Sequence, residues 1–250
     1  MPACAVQATF DRLAPLYDGL WTESLIGQLQ RSAVWRHVLP LVRAGQRVLE
    51  VGCGTGADAE FLARLGLRVT ATDISPQMVT RARARGVDAR VLAIEELDQV
   101  TDTFDVLLSN FGALNCVADL DSFCRKAGSL VRPGGYAFLC VAGRFCLWES
   151  AWHAFRGQFR KAVRRWPGED FSRSLGIRVF YPTARQIRRS LAPEFQLVRR
   201  AGIGVCVPPS YVHSLPRPLL RAFDRIDRAV ALLPAVRSLS DHRLLIFRRF

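Results

Sequence analysis

The stretch that decides the fold is Val48-Leu49-Glu50-Val51-Gly52-Cys53-Gly54-Thr55-Gly56. An apolar run reaches an acidic residue and then three glycines at alternate positions, and a helical pattern follows at once. We therefore predict a buried strand whose end enters a tight turn that opens a helix. Glycine adopts positive φ and has no Cβ atom, so a ligand can lie directly against the backbone of such a turn.

Two classes of cofactor use a glycine turn of this kind, dinucleotides and S-adenosylmethionine. The segment from Gly52 to Ala57 satisfies the loose dinucleotide pattern G-x-G-x-x-G/A, and Asp73 follows at the usual distance of a ribose-binding acid. Two details favour S-adenosylmethionine. Glu50 stands two residues before the first glycine, where its carboxylate can face an ammonium group that NAD lacks, and Gly56 is surplus to the dinucleotide pattern.

The first half of the chain alternates short apolar runs with helical patterns, which indicates an α/β fold with a doubly wound parallel sheet. Helix starts are marked by Ser75-Pro76, an N-cap followed by proline, and by the capping box that begins at Thr183. Strands are predicted at 47–51, 68–72, 89–93, 104–109, 136–141, 195–200 and 243–247.

A set of motifs in the expected order resembles the class I S-adenosylmethionine-dependent methyltransferases, in particular their ubiquinone and menaquinone biosynthesis branch. The motifs lie within residues 10 to 142 and are Phe10–Asp18, Glu50–Gly56, Thr70–Met78, Phe104–Phe111 and Leu130–Tyr136. The resemblance implies a seven-stranded, mostly parallel sheet with its last strand antiparallel, helical lid insertions, and S-adenosylmethionine as the cofactor.

The resemblance also divides a single methyltransferase domain, residues 1–250, into parts with different tasks. An N-terminal helical cap, a cofactor-binding half and a substrate half are expected at 1–40, 41–142 and 143–250. Two segments exceed the minimal fold, at 144–180 and 207–240. Additions beside the carboxyl ends of such strands normally form a substrate lid.

The resemblance further implies which residues hold the cofactor. Glu50 would serve its ammonium region, and Asp73 would accept both ribose hydroxyl protons, a task that needs a carboxylate. Relatives often have an acid after the third strand that accepts from the adenine amino group. This chain has Ala93 there, so either Glu95 or backbone groups read the adenine. The full cofactor set is Tyr17, Glu50, Gly52, Cys53, Gly54, Gly56, Asp73, Ile74, Met78, Ile94, Glu95, Asn110 and Phe111.

Methyl transfer from a sulfonium is an in-line displacement, so the protein mainly aligns the acceptor and excludes water. The candidates for a general base are Tyr211, His213 and His153, all in the predicted lid segments. A structural role is the alternative for each of them. The acceptor is expected to be a hydrophobic small molecule, methylated at oxygen, nitrogen or carbon, and no metal site is predicted.

The net charge of +13 is placed unevenly along the chain. Residues 1–125 hold 12 arginines and 15 acidic residues, which gives −3, and residues 126–250 carry +16. Apolar residues recur at helical spacing opposite arginines at 155–166 and 217–233, which predicts two basic amphipathic helices. Such helices fit an acidic carrier protein or an anionic membrane surface, or else form a solvated face over a packed lid.

Two other functions stay open on the same fold. The basic charge fits an RNA methyltransferase, but Ser109-Asn110-Phe111-Gly112 is not the motif typical of base-amino methylation, so a nucleic-acid partner is not predicted. A non-catalytic carrier-protein or membrane-docking module is the other. The chain has no secretion signal and no apolar run of about eighteen residues, and its cysteines form no framework. We therefore predict a cytoplasmic protein, which would be peripheral to a membrane if its basic helices bind an anionic membrane surface.

Overall fold

A seven-stranded sheet forms the centre of the molecule in a computed structural model that describes residues 3–212 and 215–250. Its strands are β1 (Arg47–Val51), β2 (Arg68–Asp73), β3 (Asp88–Val91), β4 (Phe104–Ser109), β5 (Val131–Ala142), β8 (Phe195–Ile203) and β9 (His242–Arg249), and a separate two-stranded hairpin pairs β6 (Glu169–Ser172) with β7 (Ile177–Phe180). The seven predicted strands are all present, with ends that differ by a few residues. The hairpin lies inside the first lid segment and was not predicted.

Helices lie between the strands and before the first one. They are α1 (Ala3–Tyr17), α2 (Leu25–Val38), α3 (Ala57–Arg64), α4 (Pro76–Ala84), α5 (Leu120–Leu130), α6 (Leu147–Phe155), α7 (Phe159–Ala162), α8 (Ala184–Leu191) and α9 (Arg217–Val230). Both predicted caps are confirmed. The hydroxyl of Ser75 accepts from the backbone N–H of Met78 at 3.1 Å, and Thr183 and Gln186 form a reciprocal capping box.

The strand order is β3-β2-β1-β4-β5-β9-β8. The first five strands of this order run parallel, and β9 pairs antiparallel with both β5 and β8. This is the predicted doubly wound sheet with its last strand reversed. The strand that follows β1 in the chain, β2, lies on one side of it, and β4 lies on the other side, so the direction of winding reverses at β1. In such sheets ligands bind in the crevice at the carboxyl ends of the strands on either side of this reversal.

Each strand sends alternate side chains to the two faces of the sheet, and both faces are covered. Leu49 and Leu107 pack in one cluster with residues of α5 and α8, whereas their neighbours Val48 and Leu108 pack in another with residues of α2 and α3. Truncating a side chain as buried as Leu107 to alanine costs about 2–5 kcal/mol of stability. The two covered faces therefore hold the strand ends in fixed positions.

The first predicted basic helix is wrong in both extent and orientation. The segment 155–166 is broken at Gly157, where φ is 68°, so α6 ends at Phe155 and only the single turn of α7 follows. Phe155 is 93% exposed, whereas Arg165 is 7% exposed. The aromatic side chains expected inside are thus exposed, and Arg165 is held inside by two carboxylates, which are described below with the cavity, while Arg156 and Lys161 stay exposed.

The second predicted helix is present as α9 and ends three residues earlier than predicted, at Val230. Its buried face combines Leu220 with two acids, Asp224 and Asp227, while Ile226 is 47% exposed. Asp227 accepts backbone N–H bonds from the loop that precedes the helix, and Asp224 pairs with arginines. In the described part of the chain, no helix is long and apolar enough to cross a membrane.

Candidate active site

A cavity of about 560 Å³ opens at the carboxyl ends of β1, β2 and β4. One end is lined by the glycine turn and the acidic residues around it. Residues of α1 and the β6–β7 hairpin, including Phe10, Leu13, Leu175 and Val179, supply an apolar middle. The part of the lining that comes from the lid segments, called the lid end below, is polar and includes Arg164, Arg165 and Tyr211.

Two of the three motif glycines line the cavity, and the third does not. Gly52 and Gly54 have φ of 69° and 56°, and a Cβ atom on Gly52 would lie 2.2 Å from the Cβ of Ala113. Gly56 lies outside the lining, where a Cβ would come within 2.7 Å of the Cβ of Ala82. Its task is therefore the close packing of α3 on α4, which differs from the predicted backbone contact with the cofactor.

Asp73, at the end of β2, fastens the glycine turn to the neighbouring strand. One carboxylate oxygen accepts from the backbone N–H of Gly54 at 2.8 Å, and the other accepts from that of Ser75 at 2.9 Å. Burial raises the pKa of Asp73, and these two hydrogen bonds act against that increase. A carboxylate has about four acceptor sites, so it keeps free sites for a ligand in the cavity.

Glu50 and Asn110 bring buried acceptors to the same end of the cavity. Within the described residues, Glu50 Oε2 and Asn110 Oδ1 have no hydrogen-bond partner, and both side chains line the cavity. Burial raises the pKa of Glu50 well above its ordinary value, and the nearby Asp58 adds to the effect while Arg31 opposes it. Buried acceptors without donors are costly, so this end of the cavity is suited to a ligand with a cationic donor group.

The N-terminal cap lies over the glycine turn. Tyr17 lines the cavity near Gly54, and burial raises its pKa to about 12. The next residue, Asp18, accepts from the hydroxyl of Thr55 at 2.6 Å and from Arg85 at 2.9 Å. The cap is thereby attached to the glycine turn and to the end of α4.

The remaining predicted cofactor residues lie in the lining as well. These are Cys53, Ile74, Met78, Ile94, Glu95 and Phe111. Ala93 is buried and is absent from the lining, whereas the exposed Glu95 reaches it. The geometry therefore places Glu95 in the cavity where Ala93 is not, and the role of Glu95 in reading the adenine stays a prediction.

The lid end of the cavity contains two arginines that the sequence analysis placed on an outer face. Arg164 donates to both oxygens of Glu149, at 2.8 and 2.9 Å, and Arg165 bridges Glu149 and Asp241 at 2.7 and 3.0 Å. The arginines line the cavity, and the two carboxylates lie behind them, outside the lining. Burial tends to raise the pKa of Glu149, but the arginines outweigh it and lower that pKa.

The three predicted base candidates have different positions. Tyr211 lines the cavity and donates to Glu149 at 3.1 Å, and burial together with that carboxylate raises the pKa of its phenol far above neutrality. Tyr211 is therefore a hydrogen-bond donor in this arrangement, and its role as a base stays a prediction that the raised pKa disfavours. His153 is outside the lining; its ring stacks on Tyr211 with centroids 6.1 Å apart, and its Nδ1 contacts Gln158. His213 lies outside the described residues.

Sequence reasoning missed several residues of the lining because long-range contacts bring them there. Arg31 of α2 and Asp58 of α3 lie beside Glu50, and no local motif marks either one. Asn115 binds backbone groups of Ala142 and Phe180 and so joins β5 to the hairpin. Of these three, Asn115 alone had a signal in the sequence, because it interrupts the apolar run from Ala113 to Val117, in which a polar side chain is unusual.

Known proteins resemble this chain in sequence mainly over its first half. Residues 48–135 match a family described as methyltransferase domain. A ubiquinone biosynthesis O-methyltransferase of Methylocella silvestris is 42% identical over 106 residues, which cover 40% of this chain and 41% of that protein. A protein of the same description from Xanthomonas oryzae is 37% identical over 107 residues, which cover 40% and 45%. The matched part thus spans less than half the length of these relatives.

Solved structures resemble the chain over most of its length. An S-adenosylmethionine-dependent methyltransferase from Mesorhizobium loti has a TM-score of 0.62 at 20% identity and covers 88% of this chain and 100% of its own. The N-methyltransferase NodS from Bradyrhizobium japonicum, solved with S-adenosyl-L-homocysteine, has a TM-score of 0.62 at 16% identity and covers 98% of both chains. At these identities the likeness shows a shared fold.

Proposed function

We propose that this chain, a class I methyltransferase by its fold and by the methyltransferase domain at residues 48–135, transfers a methyl group from S-adenosylmethionine to a hydrophobic small molecule. The observation that carries the proposal is the placement of two unpartnered buried acceptors, Glu50 Oε2 and Asn110 Oδ1, beside the glycine turn. They call for a donor group at the end of the ligand nearest β1 and β4. S-adenosylmethionine has an ammonium group to offer there, and a dinucleotide does not.

The charge of this end supports the same cofactor. Four acids line it, Glu50, Asp58, Asp73 and Glu95, and Arg31 is the basic residue among them. S-adenosylmethionine carries a sulfonium and an ammonium group, so an acidic surrounding stabilises it. Asp73 would bind the ribose hydroxyls, and Ile74 and Met78 would pack on the adenine.

Bound in this way, the cofactor would supply an electrophilic methyl carbon on a positively charged sulfur. The chain itself aligns the acceptor with the methyl carbon and excludes water, and these two effects account for most of the rate acceleration in a displacement of this kind. Tyr17 and the rest of α1 cover the glycine turn, and Phe10 and Leu13 exclude water from the middle of the cavity. Tyr211 is held by Glu149 in a fixed position from which its hydroxyl can orient an acceptor.

The apolar middle of the cavity supports a hydrophobic acceptor. Its side chains come from α1 and from the hairpin, and both of these elements lie outside the matched segment 48–135. The acceptor is therefore selected by parts of the chain that the family match does not include. A small molecule fits this enclosed space better than a polymer does.

The proposed cofactor is tested by calorimetry with S-adenosylmethionine, S-adenosylhomocysteine and NAD. We expect binding of the first two, and Asp73→Ala should weaken it about tenfold, because ribose donors then lose their acceptor. The exposed Asp88 at the start of β3 supplies the matched control, and Asp88→Ala should leave affinity unchanged. Binding of NAD alone would refute the proposal, and an unchanged affinity in Asp73→Ala would remove that residue from the site.

We also propose that the outer face of the first lid segment docks on an anionic membrane surface. Phe155, Phe159 and Trp166 are 93, 69 and 49% exposed, and the exposed cations Arg156 and Lys161 stand among them. Aromatic side chains beside basic ones suit the boundary between acyl chains and anionic headgroups.

Cosedimentation with vesicles tests this docking. Vesicles that contain phosphatidylglycerol should retain the protein, and vesicles of phosphatidylcholine alone should retain less. The double variant Phe155→Ser, Phe159→Ser should lose the binding, while Leu65→Ser, at a residue that is also exposed and apolar, should keep it. Equal retention of the double variant would contradict the proposal, and binding to an acidic carrier protein in place of vesicles would replace the membrane with that partner.

A further inference from the structure

We propose that the lid end of the cavity is a subsite for a carboxylate group on the methyl acceptor, with Arg164 and Arg165 as its ligands. This inference rests on the proposed methyltransferase function and adds the chemical class of the substrate. It is carried by the geometry of the two arginines, by an unused donor and by an excess of buried positive charge.

The two arginines are positioned from behind. Glu149 receives both Arg164 and Arg165, and Asp241 receives Arg165 from the far side, yet neither carboxylate lines the cavity. A guanidinium group is planar and has five N–H donors, so one edge can bind a carboxylate while the other stays available. The arrangement presents ordered arginines to the cavity.

Arg165 retains a donor that the protein does not use. Its side chain is 9% exposed, and within residues 3–212 and 215–250 its Nε has no hydrogen-bond partner. Arg164 spends Nε and one terminal nitrogen on Glu149, and its other terminal nitrogen binds no acceptor in the described part of the chain. A buried donor without an acceptor is costly, and an oxyanion of the ligand would remove that cost.

The surroundings of the pair carry more positive than negative charge. Arg243 lies close enough to Arg165 to interact with it, and Arg144 lies close to Arg243, whereas Glu149 and Asp241 are the acids in contact with the pair. Burial lowers the pKa of Arg243 to about 10, and Arg200, Arg165 and Arg144 contribute to the decrease. Positive charge that is not neutralised by the protein favours an anion in the adjoining cavity.

A carboxylate matches this end in shape and in charge. Arginine binds planar carboxylates through parallel N–H bonds. The two acids balance the two arginines, so the surplus positive charge is that of Arg243, and a monoanion matches it better than a dianion. Ser172 and Ser174 also line the cavity, and this hydrogen-bonded pair keeps one hydroxyl hydrogen that can be donated to the second oxygen.

The subsite can be tested with simple probes on protein loaded with S-adenosylhomocysteine. Ligand-detected NMR would compare benzoate, benzamide and phenyl phosphate, which share one ring and differ in the polar group. Wild-type protein should bind benzoate about tenfold more tightly than benzamide, the effect of a charge-assisted hydrogen bond. Arg164→Gln should bring the two affinities to within about twofold of each other.

Matched variants separate this result from a general loss of structure. Arg178→Gln removes an arginine of the same lid whose partner is the exposed Glu169, so its preference for benzoate should equal that of the wild type. Retained binding of S-adenosylhomocysteine would show that Arg164→Gln is folded. Four results would each overturn the carboxylate subsite. In the wild type these are equal affinities for benzoate and benzamide, no binding of benzoate, or a higher affinity for phenyl phosphate than for benzoate. The fourth is an unchanged preference for benzoate in Arg164→Gln. Failure of the wild type to bind S-adenosylhomocysteine would instead contradict the proposed function.

Discussion

The two ends of the cavity are opposite in charge and in the way the chain builds them. The glycine end is acidic and comes from short contiguous segments at the ends of β1, β2 and β4. The lid end is basic and depends on Glu149, Arg164, Arg165, Tyr211 and Asp241, which are up to 92 positions apart. The rigid sheet fixes one end, and ion pairs between loops and helices assemble the other. Sequence motifs can therefore identify the cofactor end, and only the folded chain reveals the acceptor end.

The largest expected effect is at the lid end, where Glu149 holds two arginines. Glu149→Gln leaves buried guanidinium groups without their counter-charge and should lower the free energy of unfolding by about 3 kcal/mol. Urea unfolding with and without the substitution measures it. Glu169→Gln breaks an exposed pair of the same lid and should change stability by less than about 1 kcal/mol. Equal effects of the two variants would show that the buried ion pairs do not organise this end.

The next effect concerns the glycine end. Gly52→Ala imposes strain of about 1–3 kcal/mol at a φ of 69° and a clash with Ala113, so affinity for S-adenosylmethionine should fall by about a hundredfold. Gly86→Ala has similar strain, with φ of 81°, but among the described residues no heavy atom lies within 4 Å of the added Cβ, and Gly86 does not line the cavity. Calorimetry should therefore find normal affinity in Gly86→Ala, and a comparable loss there would refute the local explanation.

A smaller effect of opposite sign is expected at Glu50. Glu50→Gln removes a buried carboxylate with an unpartnered oxygen, so the protein without cofactor should gain about 1 kcal/mol of stability at neutral pH. The same change should weaken binding of S-adenosylmethionine, because the ammonium group loses its counter-charge. Thermal denaturation with and without the cofactor measures both. If Glu50→Gln were less stable than the wild type and bound S-adenosylmethionine with normal affinity, Glu50 would be a structural residue and not a cofactor ligand.

The pH dependence of stability should also differ between the two ends. The pKa of Glu50 is raised above 4.5 in the folded protein. The stabilisation that comes from its protonated form is therefore complete below pH 4.5 and is lost as the pH rises through the raised pKa. The pKa of Glu149 is lowered below 4.5, so its contribution is present above that pH and is lost as the pH falls. The free energy of unfolding should therefore be measured against pH for the wild type, Glu50→Gln and Glu149→Gln. The difference from the wild type should change with rising pH in one sense for Glu50→Gln and in the opposite sense for Glu149→Gln. Parallel curves for either variant would show that its carboxyl group does not link stability to pH.

The part of the fold that local chemistry determines was predictable. The strand that ends at Val51, the proline-led start of α4 and the capping box at Thr183 depend on neighbours within a few residues, and all three are confirmed. The residues expected to hold the cofactor lie in one cavity apart from Gly56, whose task is packing. Their binding roles stay predictions until ligands are measured.

The lid could not be predicted because its periodicity is misleading. Residues 155–166 repeat apolar side chains at helical spacing, and a pattern of this kind usually buries them. In the folded chain Gly157 breaks the helix, and ion pairs to Glu149 and Asp241 turn Arg165 inward. Asp241 is 76 positions from Arg165, and Glu149, 16 positions away, precedes the break at Gly157, so neither acid lies within the repeat that predicts the helix.

The first helix contacts both the cofactor end of the cavity and the hairpin that lines its middle. Thr9 donates to the backbone of Leu175 in the lid hairpin at 2.8 Å, Asp11 receives Ser75 at the start of α4 at 2.6 Å, and the following turn holds Thr55 through Asp18. One helix is thus tied both to the cofactor end and to the hairpin beside the expected acceptor. A displacement of this helix would uncover the two ligands together, so both share a single cover.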